Sequence, residues 1–512
     1  MRDGGRSNDV RSGTARSDDA RPSAARSDDA RPGGRRSWWL REALAAEPPA
    51  LRADAAPPFA GSGRADIAIL GGGYTGLWAA LRLIELAPGA RIVVLERDVC
   101  GGGASGRNGG FVTGWWDELP TLVARHGVDE GVRLARAIGD AVGEVGDWAA
   151  SVGVDPWYRH AGFAQASAAP AQDGAWREAV ELCDRLGLRD EYRPLTADEV
   201  RERVVSPVFR SGVFMRDGAT VQPALLARGL RRVALERGVV IHERTSARPI
   251  RTNRHGGPVA IRTRSAAGDG TFVADQVVVA LNAWAAAWPE FGRRLVTWSS
   301  YIVLTEPIPD RLAELGWTDG EGITDARFTL HYGRTTPDGR IALGGGGGRA
   351  GFGGRIGRVF THDAGSAARA GAGLRRWFPT LADVRIEDAW GGPIDITADH
   401  LPFVTTTGRG RVHAGLGFSG NGVGPALVVG RALAALAALG DGAGEDRWGS
   451  LPIVGAVPRM FPPEPFRYLG ARAIREAIVR RELAEEAGLR PGRIVAAVSR
   501  VPRRLGYHLG PD

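Results

Sequence analysis

Residues 66–96 read DIAILGGGYTGLWAALRLIELAPGARIVVLE. The apolar run Asp66–Leu70 predicts a buried strand, a glycine-rich turn follows it, and Leu77–Leu86 has helical periodicity. A Pro-Gly pair ends this helix, and Arg91–Glu96 is a second apolar strand. A strand, a helix and a strand within about 30 residues predict a βαβ unit with a parallel sheet.

The glycine turn carries a dinucleotide-binding pattern. Gly71 permits the tight turn, Gly73 lets the backbone approach a pyrophosphate, and Gly76 permits close packing of helix and strand. The helix N-terminus then faces the phosphates, and Glu96, at the end of the second strand, can bind a ribose hydroxyl. The motif predicts FAD or NAD(P) and does not choose between them.

Two further glycine segments favour a flavin. One is GGGASGRNGGF at residues 101–111, and the other is GLGFSGNGVG at residues 415–424. An NAD enzyme does not need a second glycine turn that opens a helix. A flavin does, because backbone amides or a helix N-terminus stabilise negative charge at its reduced N1–O2 edge.

On these segments the sequence resembles the FAD-dependent D-amino-acid oxidase (DAO) superfamily, and it is similar to its bacterial gamma-glutamylputrescine oxidase-like amine oxidoreductases. The resemblance covers about residues 60–440 and also rests on YGRTTPDG (332–339), WGGP (390–393) and DHLP (399–402). It implies an α/β plus α+β fold, in which a Rossmann-type FAD-binding domain (GR2/DAO-like) is interleaved with an antiparallel-sheet substrate domain. It also implies oxidation of a C–N bond of a primary or secondary amine or amino acid by hydride transfer to flavin N5.

The resemblance implies three groups of cofactor residues. The ADP half would be held by Gly71, Gly73, Tyr74, Thr75, Gly76, Glu96 and Arg97. The ribityl chain and ring would pass Ala104, Ser105, Arg107, Asn108, Gly109 and Gly110. The pyrimidine edge would lie at Gly420, Asn421, Gly422 and Val423. Asn421 stands where His is common among the amine oxidases.

The mode of flavin attachment and the electron acceptor are also expectations. Relatives with covalent flavin use a late Cys or a His near the second glycine segment, where this chain has Gly344–Gly348 and Arg107, so we expect non-covalent FAD. We expect O2 as acceptor, although the chain lacks the Lys that some relatives place over the flavin. The alternatives are a dehydrogenase that uses a carrier or quinone, and a non-catalytic flavin-binding protein.

Four residues are candidates for the substrate site. They are His331, Tyr332, Arg334 and Trp390, since the family's substrate sheet faces the flavin near these motifs. Each has a plain alternative, as a core aromatic residue or a surface charge. The nine His residues include no metal-ligand pair, so we expect no metal.

The chain is predicted to divide into eight segments. These are a disordered repeat tail (1–36), an N-terminal arm with one short helix (37–64), an FAD-binding domain in three parts (65–155, 211–290, 386–440), a substrate domain in two parts (156–210, 291–385) and a basic C-terminal extension (441–512). The first tail repeats Arg-Ser-Asp-Asp-Ala-Arg-Pro and has almost no apolar residue to bury.

Composition excludes several classes of protein. Residues 1–41 hold 10 Arg and 6 Asp, and residues 458–512 hold 11 Arg and 6 acidic residues, so the net charge of +8 resides in the tails. A basic stripe on folded surface, as nucleic-acid binding requires, is therefore not expected. The longest apolar stretch, Val423–Gly440, contains Arg431, and the two Cys cannot form a disulfide framework. We expect a cytoplasmic enzyme for a small-molecule amine, without a membrane span.

One further motif has a plainer interpretation. Arg481–Leu489 matches half of a diphosphate-hydrolase box, but its spacing from Glu476 is too short. We interpret this stretch as an amphipathic helix with Glu476 and Arg480 paired one turn apart.

Overall fold

A computed structural model describes residues 1, 36–52, 55–250, 257–345 and 347–504, without the side chain of Arg503. Almost all of the predicted repeat tail therefore lies outside the described residues. The strands are β1 (Gly61–Leu70), β2 (Ile92–Leu95), β3 (Phe111–Thr113), β4 (Phe163–Ala166), β5 (Tyr192–Leu195), β6 (Gly212–Met215), β7 (Gly218–Thr220), β8 (Val240–His242), β9 (Thr245–Ala247), β10 (Val259–Ser265), β11 (Gly268–Val279), β12 (Val296–Thr305), β13 (Gly322–Asp325), β14 (His331–Thr335), β15 (Ile341–Gly345), β16 (Ile386–Ile396), β17 (Phe403–Thr407) and β18 (Val412–Leu416). The helices are α1 (Trp38–Ala46), α2 (Tyr74–Leu86), α3 (Leu119–His126), α4 (Val128–Ser151), α5 (Arg177–Arg185), α6 (Ala197–Arg203), α7 (Pro223–Glu236), α8 (Pro309–Glu314), α9 (Ala364–Trp377), α10 (Val423–Leu439), α11 (Phe466–Glu486), α12 (Arg493–Ser499) and α13 (Val501–Arg504).

The first sheet contains the predicted βαβ unit. Its order is β17-β18-β11-β1-β2-β8, with β10 and β9 attached beside β11. Strand β1 runs parallel to both β11 and β2, so that Ala68 aligns with Val277 on one side and Val93 on the other. All four residues of β2 are buried, as expected of a parallel strand covered on both faces.

The second sheet is largely antiparallel and confirms the predicted second architecture. Its order is β16-β12-β15-β14-β13-β4-β6-β5, and only the β13–β4 pair among these is parallel. Strands β6 and β16 pair within this sheet, whereas the predicted boundaries at 211 and 386 assigned both to the FAD-binding domain. The difference arises because β16 pairs along β12 from Ile396 back to Ile386, a long-range contact that local sequence does not indicate.

Helix α10 is central to the packing on the first sheet. A Cβ at Gly430 would lie 2.8 Å from Thr75 O and from Trp78 Cβ, so α10 and α2 approach closely at this glycine. Within the described part of the chain, Val423–Glu445 is long and apolar enough to cross a membrane, and 72% of its most apolar window is buried inside the protein. A core helix has these properties too.

Glycine and proline limit two of the helical stretches. The stretch 121–151 forms α3 and α4, which meet at Gly127 with φ +83°. Helix α5 begins at Arg177, after a short 3-10 turn at Pro170–Gln172. Helix α6 begins with a capping box, in which Thr196 Oγ1 accepts from Glu199 N at 3.2 Å.

Both ends of the described chain pack on the body. Helix α1 is the short helix predicted for the N-terminal arm, and it buries Trp39 and Leu40 completely. At the other end, the predicted amphipathic helix is part of α11, where Arg480 Nε and Glu476 Oε1 lie 3.0 Å apart. The two terminal segments thus contribute to the same folded body as the sheets.

Candidate active site

One cavity of about 1630 Å³ brings the predicted cofactor residues together. It is lined by the glycine turn before α2, the second glycine segment, the turn before α10, the second sheet and the C-terminal helices. Of the seventeen predicted cofactor residues, all line the cavity except Gly76 and Gly110. Those two glycines serve packing instead.

The nucleotide turn depends on glycine for close approach. Gly71 has φ +110°, and a Cβ there would lie 2.4 Å from Ala280 O. A Cβ at Gly76 would lie 2.0 Å from Gly71 O, so the helix packs on its own turn as the motif predicts. Gly73 caps α2 without a side-chain hydrogen bond. Tyr74 N donates to Ser105 Oγ, and the amides that follow it in α2 are left for an anion, which the helix dipole also favours.

Glu96 is held at the C-terminal end of β2. Its Oε2 accepts from Gly72 N and its Oε1 from Asp98 N, both at 2.8 Å. Burial is the main reason that the pKa of Glu96 is raised to about 7. A carboxylate has about four acceptor positions. Two bonds to backbone therefore leave capacity for ribose hydroxyls at the cavity surface.

The second glycine segment is fixed by its own side chains. Ser105 Oγ accepts from Tyr74 N at 2.9 Å, which ties the segment to the start of α2. Asn108 Nδ2 donates to Ala104 O at 3.1 Å, and its Oδ1 accepts from Gly110 N at 2.7 Å. The Asn108 side chain therefore shapes the loop that the cavity exposes.

The N-terminal helix supports this loop from behind, which sequence reasoning missed. Trp39 Nε1 donates to Asn108 O at 3.2 Å. Gln222 Nε2 in turn donates to Trp39 O at 2.9 Å and to Glu42 Oε2 at 3.0 Å. The signal in the sequence was the Trp38-Trp39 pair in a polar arm, because such aromatic residues are usually buried.

The third glycine segment opens α10 at the cavity. Gly422 is the N-cap and makes no side-chain capping bond. Asn421 Oδ1 accepts from Thr113 Oγ1 at 3.1 Å. The side chain at this position therefore contacts β3, while the helix amides remain available to stabilise negative charge.

Asp395 organises the same segment and was also missed by sequence reasoning. Its Oδ2 accepts from Gly417 N at 2.6 Å, and its Oδ1 accepts from Asn282 Nδ2 at 2.8 Å. Burial raises the pKa of this fully buried carboxyl to about 7. Asp395 ends a strand of the second sheet and binds a turn of the first, so no local pattern indicates it.

Tyr332 is the predicted substrate residue that lines the cavity. Its hydroxyl lies 2.8 Å from Ser300 Oγ, and its ring packs edge-on against Phe111 with centroids 5.6 Å apart. A Cβ at Gly344 would lie 2.0 Å from Tyr332 Cζ, so the neighbouring strand needs glycine to accommodate the ring. Burial raises the pKa of Tyr332 to about 12, so the hydroxyl is neutral.

The structure does not bring His331 to the cavity, because neighbouring residues of a strand point to opposite faces. His331 Nδ1 lies 3.0 Å from Asp325 Oδ2. A Cβ at Gly373 would lie 2.4 Å from His331 Nε2, so the ring packs against α9. His331 thus belongs to the side of the second sheet that is turned away from the cavity.

Arg334 and Trp390 lie behind the second glycine segment and do not line the cavity either. The Arg334 guanidinium lies over the Trp39 ring at 5.2 Å, and burial lowers its pKa to about 10. Its Nε and Nη2 have no hydrogen-bond partner among the described residues. Trp390 Nε1 donates to Arg107 O at 2.9 Å. Trp390 therefore supports the predicted cofactor loop.

Two carboxyls on the cavity wall were not among the predicted site residues. Asp117 and Glu118 precede α3 and line the cavity, and Asp117 is the more exposed of the two. Desolvation raises the pKa of Asp117 to about 6. Desolvation and the neighbouring Asp117 charge raise the pKa of Glu118 to about 8. This pair gives one wall a negative charge that suits a cation.

These residues fit a flavin dinucleotide. Three glycine segments border one cavity, and side chains at Gly71 or Gly73 would collide with Ala280 O or Ser105 Oγ. Two helices, α2 and α10, start there with glycine as the N-cap residue. One helix start suits a pyrophosphate and the other the negative edge of a reduced flavin.

Comparison with known proteins agrees with this geometry. The sequence profile of the DAO family, described as FAD dependent oxidoreductase, matches residues 66–436. The chain belongs to the DAO family. It is therefore an FAD-dependent oxidoreductase. The matched region ends before α11, so the C-terminal helices lie outside it.

Two curated relatives are similar over most of their length. The probable oxidoreductase OrdL of Rhizobium meliloti (strain 1021) is 30% identical over 410 residues, which is 78% of this chain and 88% of that protein. The gamma-glutamylputrescine oxidoreductase of Escherichia coli (strain K12) is 29% identical over 402 residues, 76% of this chain and 86% of that protein.

Solved structures share the fold at lower identity. L-proline dehydrogenase from P. horikoshii superposes with a TM-score of 0.59 at 19% identity, over 77% of this chain and 96% of that one. Glycine oxidase from Geobacillus kaustophilus superposes with a TM-score of 0.58 at 19% identity, over 73% of this chain and 95% of that one. These likenesses confirm the predicted fold class.

Proposed function

We propose that this DAO-family enzyme oxidises the C–N bond of a primary or secondary amine or amino acid. The names of its relatives support an amine or amino acid as substrate. The observation that carries the proposal is that one continuous cavity joins the glycine segments to Tyr332 and to the Asp117–Glu118 pair. A cationic amine finds there both a charge partner and a place beside the cofactor segments.

The flavin, when bound, supplies a hydride acceptor at N5. The protein holds the substrate and removes a proton. Asp117, the more acidic carboxyl, binds the ammonium form. Glu118, whose pKa is raised to about 8, is mostly protonated at neutral pH, so only its ionised form, which predominates above pH 8, accepts the proton that the nitrogen must lose before C–N oxidation. The ring of Tyr332 limits where the substrate carbon lies, and its neutral hydroxyl is directed to Ser300.

We propose that the FAD is non-covalent. Cys100 and Cys183 are free and buried, and neither lines the cavity. Burial raises the pKa of both thiols, which keeps them protonated and unreactive. His400, unlike the two cysteines, does line the cavity, so the non-covalent attachment needs a direct test. The test is acid precipitation of the purified protein. Flavin that passes into the supernatant supports the proposal, and flavin that stays with the pellet contradicts it.

The experiment that tests the amine assignment is an anaerobic titration of the flavin band with N-methyl amino acids, polyamine derivatives and aminophosphonates. Bleaching by one class identifies the substrate class. A protein that binds FAD and is bleached by no amine or amino acid would contradict the assignment. Peroxide formation on admitting air supports O2 as acceptor. Turnover with a quinone dye and without peroxide would make the enzyme a dehydrogenase.

A further inference from the structure

The C-terminal segment 458–502, here called the outer wall, lines the cavity although it lies outside the matched family region. The apolar residues that it contributes include Phe461, Phe466, Ile474, Ile478, Val501 and Pro502. Its helix α11 alone runs over 21 residues. A segment that the family pattern does not contain therefore forms part of the site.

The C-terminal half of α11 is anchored by a buried charge. Glu482 is 3% exposed, its Oε1 accepts from Thr329 N at 3.0 Å, and its Oε2 lies 3.2 Å from Arg327 Nη2. Arg327 also pairs with Glu486 at 3.0 Å. Residues 327–330 line the cavity and lead into the strand that carries Tyr332. Breaking a buried pair of this kind by removing one charge is costly.

The beginning of the outer wall is anchored to the start of the second sheet. Arg467 Nη1 donates to Leu295 O at 3.1 Å, and Phe461 N donates to Arg293 O at 2.7 Å. Glu464 Oε1 accepts from Gly353 N at 2.9 Å. Helix α11 is thus fixed near both of its ends and spans the gap between these two attachments.

The side chains that face the cavity from both sides are mostly apolar. Besides Ile474 and Ile478, the apolar residues that line the cavity include Trp298, Phe328 and Leu330. The Arg475 side chain of the outer wall is already engaged, since its Nε donates to Gly347 O at 2.7 Å. The outer wall therefore offers apolar contact to whatever lies beneath it.

We propose that the outer wall closes the substrate end of the cavity and selects amines that carry an apolar substituent. The selection rests on the proposed amine oxidation, whereas the closure needs only bound flavin. The two parts can consequently be tested separately.

Closure is tested with two alanines of α11. Ala471 lines the cavity, whereas Ala473 is exposed and is not among the lining residues. We expect Ala471→Trp to lower the Stern–Volmer constant for iodide quenching of bound-flavin fluorescence about three-fold, because the indole obstructs the approach of the ion. Ala473→Trp should leave it unchanged. An equal constant in wild type and Ala471→Trp would overturn the closure, whether or not any amine is oxidised.

The anchor gives a second test of closure that does not depend on filling the cavity. Glu482→Gln removes the charge opposite Arg327, while Glu476→Gln removes an exposed charge of the same helix. We expect Glu482→Gln to raise iodide quenching and to speed amide exchange in 466–486, with flavin still bound. If exchange quickens without any change in quenching, α11 does not shield the flavin and the closure is contradicted.

Selection is tested with a matched pair of polar substitutions. Ile474 lines the cavity, whereas Leu483 on the same helix is 55% exposed and does not. Once an amine that bleaches the flavin is known, homologues with an apolar and a hydroxylated substituent are compared. Ile474→Gln should lower kcat/KM for the apolar homologue about ten-fold and spare the hydroxylated one, with Leu483→Gln unchanged. Equal losses for both homologues would overturn the selection.

Discussion

The two ends of the cavity are built in different ways. The nucleotide end comes from the stretch Gly71–Gly76 and from Glu96, which are close together in sequence. Its shape depends mainly on backbone geometry, because the turn leaves no room for side chains at Gly71 and Gly76. The proposed substrate end combines Asp117, Tyr332 and Ile474, which line the cavity and come from distant parts of the chain. The first end is defined by positions that tolerate no side chain, and the second by side chains that long-range packing brings together.

This difference explains why a cofactor can be recognised from a short motif and a substrate cannot. A pyrophosphate requires backbone amides and free space, which glycine provides at fixed spacing. A substrate pocket requires only that some side chains face inward, and many combinations satisfy that need.

The largest effect is expected at the nucleotide end. Gly76→Ala places a methyl group 2.0 Å from Gly71 O, so we expect a loss of about 3 kcal/mol in the free energy of unfolding and loss of bound flavin. Gly143→Ala is the matched control, since its Cβ meets nothing within 4 Å in α4. Thermal unfolding measures the stability of each variant, and the flavin content of the purified protein measures cofactor binding. Normal flavin content in Gly76→Ala would contradict the role of backbone geometry at this end.

A pH dependence tests whether the first sheet also relies on contacts outside its motifs. His413 on β18 is buried between Thr406 Oγ1 and Gln276 Oε1, and burial lowers its pKa from 6.5 to about 4. The stability due to neutral His413 is fully present above pH 6.5 and is lost as the pH falls toward 4. We expect a loss of about 2 kcal/mol between pH 6.5 and 5.

Urea unfolding at the two pH values measures this loss. His413→Gln should remove the dependence, whereas replacing the exposed His160 by Gln should leave it in place. An identical pH dependence in wild type and His413→Gln would show that other groups cause the acid sensitivity.

Asp395 tests the link between the two sheets. Asp395→Asn replaces an acceptor with a donor that faces Gly417 N, so one buried hydrogen bond is lost. We expect bound flavin to dissociate about ten times faster, which corresponds to about 1.4 kcal/mol. Flavin fluorescence after dilution measures the rate, and Asp383→Asn on the exposed surface is the control. An unchanged rate would mean that the turn before α10 holds its shape without Asp395.

The smallest effect is expected at the substrate end. Tyr332→Phe keeps the ring against Phe111 and removes the hydroxyl that contacts Ser300. We expect kcat/KM to fall about five-fold with an unchanged flavin spectrum. Tyr158→Phe, which removes a hydroxyl directed to Val142 O, is the control. A change in the flavin spectrum would show that Tyr332 acts on the cofactor, which would contradict its assignment to the substrate end.

The strand β14 shows where sequence reasoning stops. The sequence motif around Tyr332 indicates this strand and makes His331, Tyr332 and Arg334 candidates for the substrate site. Alternation along the strand separates His331 from the other two. Burial beneath Trp39 then separates Arg334 from Tyr332, and that depends on a helix nearly 300 residues away in sequence. A local sequence pattern indicates neither which face of a strand points to the cavity nor which element packs over that face.

The amino-acid sequence by itself determined the βαβ unit, the glycine segments, the class of cofactor and the presence of a second, antiparallel sheet. Periodicity and glycine spacing involve residues that are only a few positions apart, so they can be recognised in the linear sequence. Only the tertiary structure decided that Asp395 and Trp39 support the cofactor loops, and that Asp117, Glu118 and α11 line the cavity. These placements follow from packing between elements far apart in the chain, where many sequences satisfy the same contact.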